Sequence, residues 1–429
     1  MTRVLVTPCS SGIGQEIFHS LYSRHDIELY GLDSGGNTPG KSLYGKRFYS
    51  GSPLLSDDPV QLREYIRYFC SLHEITHIFP ATDDFVNFLK GNEHQLVAKV
   101  ITSPLETCEV ARSKSRTYEI LNQVVRVPEV YDIDSIPGFP VFVKPDRGAG
   151  SIGSLKIDSI EKLRTGYDKD RDIICELLRG PEYTVDCLTG SDGELLYHCP
   201  RIRSIARAGI SIVTSRVDDK KVKKQVHDMA LNINGSLDFM GAWFFQVKHV
   251  ENSTDSPLCL LEIAPRIAGA MAYSRISGVN LPLLSLNLVM GLPVRIGNVN
   301  HPESTMKAYK TYVIPPLKFD NLYVDLDDTL VIKNRVNPDA MRCLYKYSSM
   351  GVPIHLITRR HTNISEYLRK FHIPGSIFTS IRQVMDMSSK SLYIAPNSVF
   401  VDDSFREREQ CSCPDKNIRS FDVDSFSYL

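Results

Sequence analysis

Val141-Phe142-Val143-Lys144-Pro145-Asp146-Arg147-Gly148-Ala149-Gly150-Ser151-Ile152-Gly153 is the stretch of this chain that says most about its fold. Residues 141–144 read as a buried strand, because three β-branched or aromatic residues precede a lysine at its end. A lysine in that position projects a cation from a fixed point. The Gly/Ala/Ser run after it lets backbone N–H groups close over phosphate oxygens without side-chain obstruction. On its own such a loop is also compatible with a flexible hairpin, so its surroundings decide.

Upstream, Arg112-Ser113-Lys114-Ser115 opens a helix with a second lysine. Downstream, residues 175–186 end one strand and open another, carrying Glu176, Leu178 and Glu182. Gln246 then falls within a strand, and Glu262-Ile263-Ala264-Pro265-Arg266 closes the series at a strand end. In this order the set resembles the ATP-grasp family over roughly residues 1–297. The resemblance implies that Lys114 and Lys144 hold the phosphates of ATP, and that the loop with Gly148, Gly150 and Ser151 folds over them. It implies further that Glu176 and Leu178 border the adenine and that Glu182 takes the ribose hydroxyls. Gln246 and Glu262 would carry Mg²⁺, a hard ion that favours oxygen ligands. Arg266 would face the reacting phosphate, with Arg201 or Arg203 as further candidates. The chain departs from the family at Ala264, where Asn is usual, and at Gln246, often an acid. The expected metal site therefore keeps one carboxylate and one amide.

Nearer the N-terminus, strand-like and helical segments alternate, as in a parallel doubly wound sheet. Ser11-Gly12-Ile13-Gly14 resembles the end of a dinucleotide fingerprint, but Thr7-Pro8-Cys9 lacks the earlier glycine, and no tyrosine has a lysine four residues later. The reading adopted is a tight strand-to-helix turn that could face the acceptor substrate.

Beyond a polar stretch at 301–318, expected as a linker, comes Leu322-Tyr323-Val324-Asp325-Leu326-Asp327-Asp328-Thr329. It delivers two carboxylates to the C-terminal edge of an apolar strand, where ligands bind in open α/β sheets. A second strand ends in Thr358, Lys390 precedes another apolar segment, and Val399-Phe400-Val401-Asp402-Asp403 ends the last strand in a carboxylate pair. These parts in this order resemble the haloacid-dehalogenase-like (HAD) phosphatases over about residues 322–428. The resemblance implies Asp325 as nucleophile, Asp327 as acid and base, and Thr358 and Lys390 as holders of the phosphoryl oxygens. Mg²⁺ would sit on Asp325, the Asp327 carbonyl, Asp402 and Asp403. Only about a helix and its turns fit between Thr329 and Ile354, so the cap is minimal.

The whole reads as an α/β protein: a Rossmann-like pre-ATP-grasp subdomain (1–105), an α+β ATP-grasp domain (106–300), the linker (301–318) and a Rossmannoid HAD-like domain (319–429). Its 429 residues suit two to three domains. Lys+Arg and Asp+Glu are both 50, so no bulk attraction to nucleic acid or anionic membrane is expected. Ten cysteines without a C-x-x-C suggest free thiols and a cytoplasmic setting. Residues 278–295 are apolar but interrupted by Asn280, Pro282 and Asn287, which suits a buried helix better than a membrane span. The expected activity is an ATP-dependent ligase, with ATP and Mg²⁺ as cofactors, coupled on one chain to a Mg²⁺-dependent phosphatase. Its substrates would be a carboxylate donor and an amine or sugar-like acceptor, phosphorylated or not. A homo-oligomer is compatible with this reading. The alternatives are a kinase-type transfer and a nucleotide-responsive binding or scaffold protein.

Overall fold

The computed structural model describes residues 1–148, 150, 152–207, 209–250, 258–308, 317–386, 388–427 and 429. The chain divides into two compact units, Met1–Tyr309 and Lys310–Leu429.

The first unit opens with a five-stranded parallel sheet in the order Phe48–Ser50, Ile27–Asp33, Thr2–Thr7, His77–Pro80, Lys99–Val100. Val4, Leu5 and Val6 of the central strand are fully buried, as the apolar run demands of a strand covered on both faces. The helix Gly12–Leu21 begins at Ser11, whose Oγ accepts from the Gly14 N–H at 2.9 Å, a side-chain N-cap. A Cβ on Gly14 would lie 2.5 Å from the Cys9 carbonyl oxygen. Close packing of helix on strand therefore accounts for the glycine, with no dinucleotide needed.

Two antiparallel sheets follow. One has the order Val130–Tyr131, Asp172–Glu176, Val141–Pro145, Leu155–Ile157. The other runs Leu258–Ala264, Gly241–His249, Glu182–Thr189, Leu195–Arg207, Ile210–Arg216, Ser304–Met306. Helix Lys220–Ser236 buries Val222, Val226, Met229, Ala230 and Ile233, a stripe with helical spacing, and leaves its lysines outward. Under it Trp243 stacks on Phe239 at 3.9 Å between ring centroids. The stretch expected as a linker needs correction at its start. Residues 304–306 form the edge strand against Val213–Ser215, and Tyr273 Oη donates to the Pro302 carbonyl. Residues 309–316 lie outside the described residues.

The second unit is a five-stranded parallel sheet in the order Ser380–Gln383, Ile354–Thr358, Asn321–Val324, Ser398–Val401, Ile418–Phe421. After its central strand comes a small hairpin, Val331–Ile332 with Arg335–Val336. Lys333 and Asn334 turn it with φ of 49° and 57°, the left-handed pair that a two-residue hairpin turn requires. Helix Pro338–Ser349, capped by Asn337, then leads back to the strand Ile354–Thr358. Among the described residues no helix is long and apolar enough to cross a membrane. All ten cysteines are free.

Candidate functional site

In the first unit a cleft is lined on one side by Phe142, Lys144, Cys175 and Glu176 of the four-stranded sheet. Glu182, Gln246, Lys248, Leu261 and Glu262 of the six-stranded sheet line the other. Lys114, Gly148 and Leu178 complete the wall, so most of the expected nucleotide residues meet around one space.

Lys144 is 7% exposed, and its Nζ donates to Tyr118 Oη at 2.6 Å. Tyr118 Oη in turn donates to the Leu261 carbonyl at 2.7 Å, tying the lysine to the strand that carries Glu262. Lys114 Nζ reaches the carbonyls of Pro145, Asp146 and Gly148 at 3.1, 3.4 and 3.2 Å, so it braces the base of the glycine loop. Burial pushes both ammonium groups below the usual lysine range, with Glu262 pulling the other way. Burial pushes the Glu262 carboxyl up, opposed by Lys114. Two half-stripped cations beside one reluctant carboxylate suit an anionic ligand that brings its own cation.

Gln246 and Glu262 are register partners across adjacent strands, so an amide oxygen and a carboxylate sit side by side. Both are hard oxygen donors of the kind Mg²⁺ takes. Among the described residues no group of three His, Cys, Asp or Glu is gathered for a metal, so phosphate oxygens and water would complete the shell. Ala264 is 5% exposed and packs in the core with Phe79 and Ala81, away from such a role.

The three arginines part company. Arg203 faces the cleft: Nη1 lies 3.0 Å from Glu182 Oε1 and donates to Gln246 Oε1 at 2.8 Å. Arg266 is pinned instead by Asp83, its Nε and Nη2 donating to the two carboxylate oxygens at 2.7 and 2.6 Å. Burial opposes ionisation of Asp83, but the Arg266 guanidinium outweighs it and holds the carboxyl below the usual range. Arg201 must be withdrawn as a phosphate ligand. It is 2% exposed and makes a bidentate pair with the fully buried Asp186 at 3.0 and 2.9 Å. Arg201→Met leaves Asp186 a buried, unpaired charge and should cost about 3–5 kcal/mol of stability. Urea denaturation reads this directly, and adding Asp186→Leu should recover most of the loss.

Glu176 is partly engaged in holding its own strand. Its Oε1 accepts from the Glu129 N–H at 3.2 Å, and Arg126 approaches its Oε2 at 3.6 Å. In the glycine loop, Gly150 has φ 65° and Gly153 φ 76°, where L side chains are strained. The loop meets the turn between strands Leu195–Arg207 and Ile210–Arg216: a Cβ on Gly209 would lie 2.4 Å from the Gly150 carbonyl carbon. Ala149 and Ser151 lie outside the described residues. Sequence reading passed over Gly209, Tyr118 and Lys248. Lys248 was within reach, since it shares a strand face with Gln246.

In the second unit Asp325 directly follows the central strand, and its N–H donates to the Val401 carbonyl at 3.0 Å, extending the strand pairing. Lys390 Nζ bridges Asp325 Oδ1 and Asp402 Oδ2, both at 2.7 Å, and all three groups are buried. Burial raises the Asp325 carboxyl to about 7 despite Lys390. Asp402 Oδ1 accepts from the Ser404 N–H at 2.8 Å, while Asp403 exchanges contacts with Thr329. Thr358 is buried, and its Oγ1 accepts from the Arg360 N–H. Asp327 stands at the more open edge, 3.2 Å from Arg360 Nη2. The carboxylates expected to hold Mg²⁺ are oxygen donors of the right kind at one sheet edge, but among the described residues no three of them are gathered as a metal group. Asp325 and Asp402 share the lysine, whereas Asp327 is turned to the arginine.

Residues 169–311 match the model of a family described as ATP-grasp in the biosynthetic pathway with Ter operon. None of the curated proteins matches this chain. Biotin carboxylase from Campylobacter jejuni, solved as a β-γ-ATP complex, is similar with TM-score 0.58 at 15% identity, over 69% of this chain and 72% of that one. The biotin carboxylase domain of the Hydrogenobacter thermophilus 2-oxoglutarate carboxylase, solved with MgADP and bicarbonate, gives 0.58 at 15% over 71% and 73%. The L-amino acid ligase of Bacillus licheniformis gives 0.54 at 17% over 67% and 74%. At these identities the likeness is one of fold. This chain has an ATP-grasp-like fold, mixed α/β with parallel and antiparallel sheets.

Proposed function

We propose that the first unit is an ATP-dependent ligase that activates a carboxylate as an acyl-phosphate and passes it to an amine or similar nucleophile. The observation that carries this is the cleft in which buried Lys144 and half-buried Lys114 face Glu262 beside a glycine loop. The similar proteins solved with ATP or with MgADP and bicarbonate support the ligand class. Lys144 and Lys114 hold phosphate oxygens, and Leu178 with the backbone near Glu176 borders the base. Glu182 is placed for the ribose, provided that Arg203 lets go of it for the phosphates. Gln246 and Glu262 would hold Mg²⁺, which supplies charge neutralisation along the polyphosphate. In the transfer, a substrate carboxylate oxygen bonds to the terminal phosphorus as the bond to ADP breaks. The nucleophile then displaces phosphate. Arg266 follows the Glu262 strand by two residues, outside the lining of this cleft, and Asp83 fixes its plane.

We propose further that the second unit transfers phosphoryl groups through Asp325. Its carboxylate oxygen attacks phosphorus, and the ester oxygen leaves with a proton from Asp327. Water, deprotonated by Asp327, then releases phosphate from the aspartyl-phosphate. Lys390 and Thr358 hold the oxygens. Asp325, the Asp327 carbonyl, Asp402 and Asp403 would hold Mg²⁺, which would offset the repulsion between nucleophile and phosphate.

The products made from ATP by the full chain test the ligase reading. With Mg²⁺, ATP, a panel of carboxylates and amine acceptors, and Asp325→Asn in place to silence the second site, ADP and free phosphate should appear together with an amide. ADP with a phosphorylated acceptor would replace the ligase reading by a kinase. No ADP at all would leave only nucleotide binding.

A further inference from the structure

Arg360 was not singled out in the sequence, yet it is the cation that meets Asp327. Its surroundings are unusual for a surface arginine. The guanidinium carbon lies 3.5 Å from the centre of the Tyr367 ring, a stacking distance. Nη1 donates to Thr362 Oγ1 at 3.2 Å, and Nη2 lies 3.2 Å from Asp327 Oδ1. The backbone is fixed as well: the N–H donates to Thr358 Oγ1 at 3.1 Å, and the carbonyl accepts from Gln383 Nε2 at 2.9 Å. Nε is buried without a hydrogen-bond partner. The side chain remains 21% exposed and Asp327 44%, so the pair stands at the mouth of the site rather than in its floor.

A guanidinium carries five N–H donors in one plane. Here two of them have partners and the ring fixes the plane; Nε is shut away, so the Nη groups are the ones that would meet a ligand. Such a group is preorganised to take planar oxyanions, and loses less freedom in doing so than a mobile lysine would. Its position decides which part of a substrate it would meet. Asp325 and Lys390 define where phosphorus sits, and Asp327 defines where the leaving oxygen sits. Arg360 meets the Asp327 carboxylate, so on that reading of Asp327 it would meet the leaving group.

We infer that Arg360 is the specificity-determining residue of the second unit and selects phosphomonoesters whose leaving alcohol carries a second oxyanion, a carboxylate or another phosphate. The inference rests on the phosphoryl-transfer reading of this unit. Binding that oxyanion draws the guanidinium partly off Asp327 and frees the carboxyl oxygen facing the ester. The second charge then favours the reacting arrangement as well as binding.

The test uses the full chain with Mg²⁺ and two matched pairs: 3-phosphoglycerate against glycerol 3-phosphate, and fructose 1,6-bisphosphate against fructose 1-phosphate. A preference in kcat/KM of about tenfold or more for the doubly anionic member of at least one pair is expected, the scale of one charge-assisted contact. Arg360→Gln should bring that ratio close to one. Arg360→Lys, which keeps the charge without the planar fork, should retain part of it. Tyr367→Leu keeps the charge but removes the ring that fixes its plane, and should lower the preference without abolishing it. Equal rates on both members, or a preference that survives Arg360→Gln, would overturn the inference while leaving phosphoryl transfer in place. Phosphate release no greater than that of Asp325→Asn on every substrate would remove the phosphoryl-transfer reading and this inference with it.

Discussion

Asp325→Asn should end phosphate release from 4-nitrophenyl phosphate, lowering the rate by about a thousandfold or more, the scale at which losing a nucleophile is felt. ADP formation at the first site should continue in the same preparation. The expectation comes from placement. Asp325 caps the central strand of a parallel sheet, is 6% exposed, and is held by an ammonium 2.7 Å away. Attack on phosphorus needs a fixed, ionised oxygen. Burial works against ionisation and lifts the group to about 7, while Lys390 works for it. Asn keeps the shape and removes the charge, so Lys390 stays paired with Asp402 and the fold has little reason to fail. Asp327→Asn separates the two half-reactions. Transfer to Asp325 should slow, but hydrolysis should slow further, so an aspartyl-phosphate should accumulate and show as a mass increase on the peptide containing Asp325. If the full chain with Asp325→Asn releases phosphate as fast as the unaltered protein, Asp325 is not the nucleophile.

What the sequence made legible was local and periodic. A strand ending in Lys144 before a glycine loop, and a strand ending in Asp325-Leu326-Asp327, each place chemistry within a few residues of a recognisable strand end. Side-chain alternation fixes their direction. Partners far apart in sequence could not be read. Asp83 and Arg266 are 183 residues apart, and nothing in either segment names the other. Arg201 stood beside Arg203 as a candidate for a subtler reason. Both point to the same face of one strand, since they are two residues apart. Only the neighbouring strand separates them: Arg203 comes level with Glu182 at the cleft, whereas Arg201 lies opposite Thr184 and reaches Asp186 deeper in. Arg360 was hidden because Arg359-Arg360 reads as ordinary solvated charge; the stack on Tyr367 and the contact with Asp327 exist only once the loop is folded. The edge strand Ser304–Met306 was missed because three residues beside Pro302 carry too little periodicity to distinguish a strand from a tether.

Replacing Lys144 by Met should abolish measurable ATP binding, a loss of about a hundredfold or more in affinity on the scale of a desolvated charge-assisted contact. The same change should leave the melting temperature unchanged or higher. These two outcomes together separate a ligand-binding lysine from a structural one. Lys144 is buried and, among the described residues, has one neutral hydrogen-bond partner, Tyr118 Oη, and no carboxylate within ion-pair distance. A buried ammonium so poorly compensated destabilises the fold, and burial already pushes the group below the usual lysine range. Met has nearly the same length and flexibility and fills the same space without a charge. Lys114 offers the contrast, because three carbonyls of the glycine loop hold it in place. Lys114→Met should therefore weaken ATP binding and also loosen the loop, seen as faster proteolysis at residues 148–153 in the absence of nucleotide. Isothermal titration with ATP and Mg²⁺, alongside a thermal melt of each variant, decides the matter. Unchanged ATP affinity in Lys144→Met would remove the cleft as the nucleotide site.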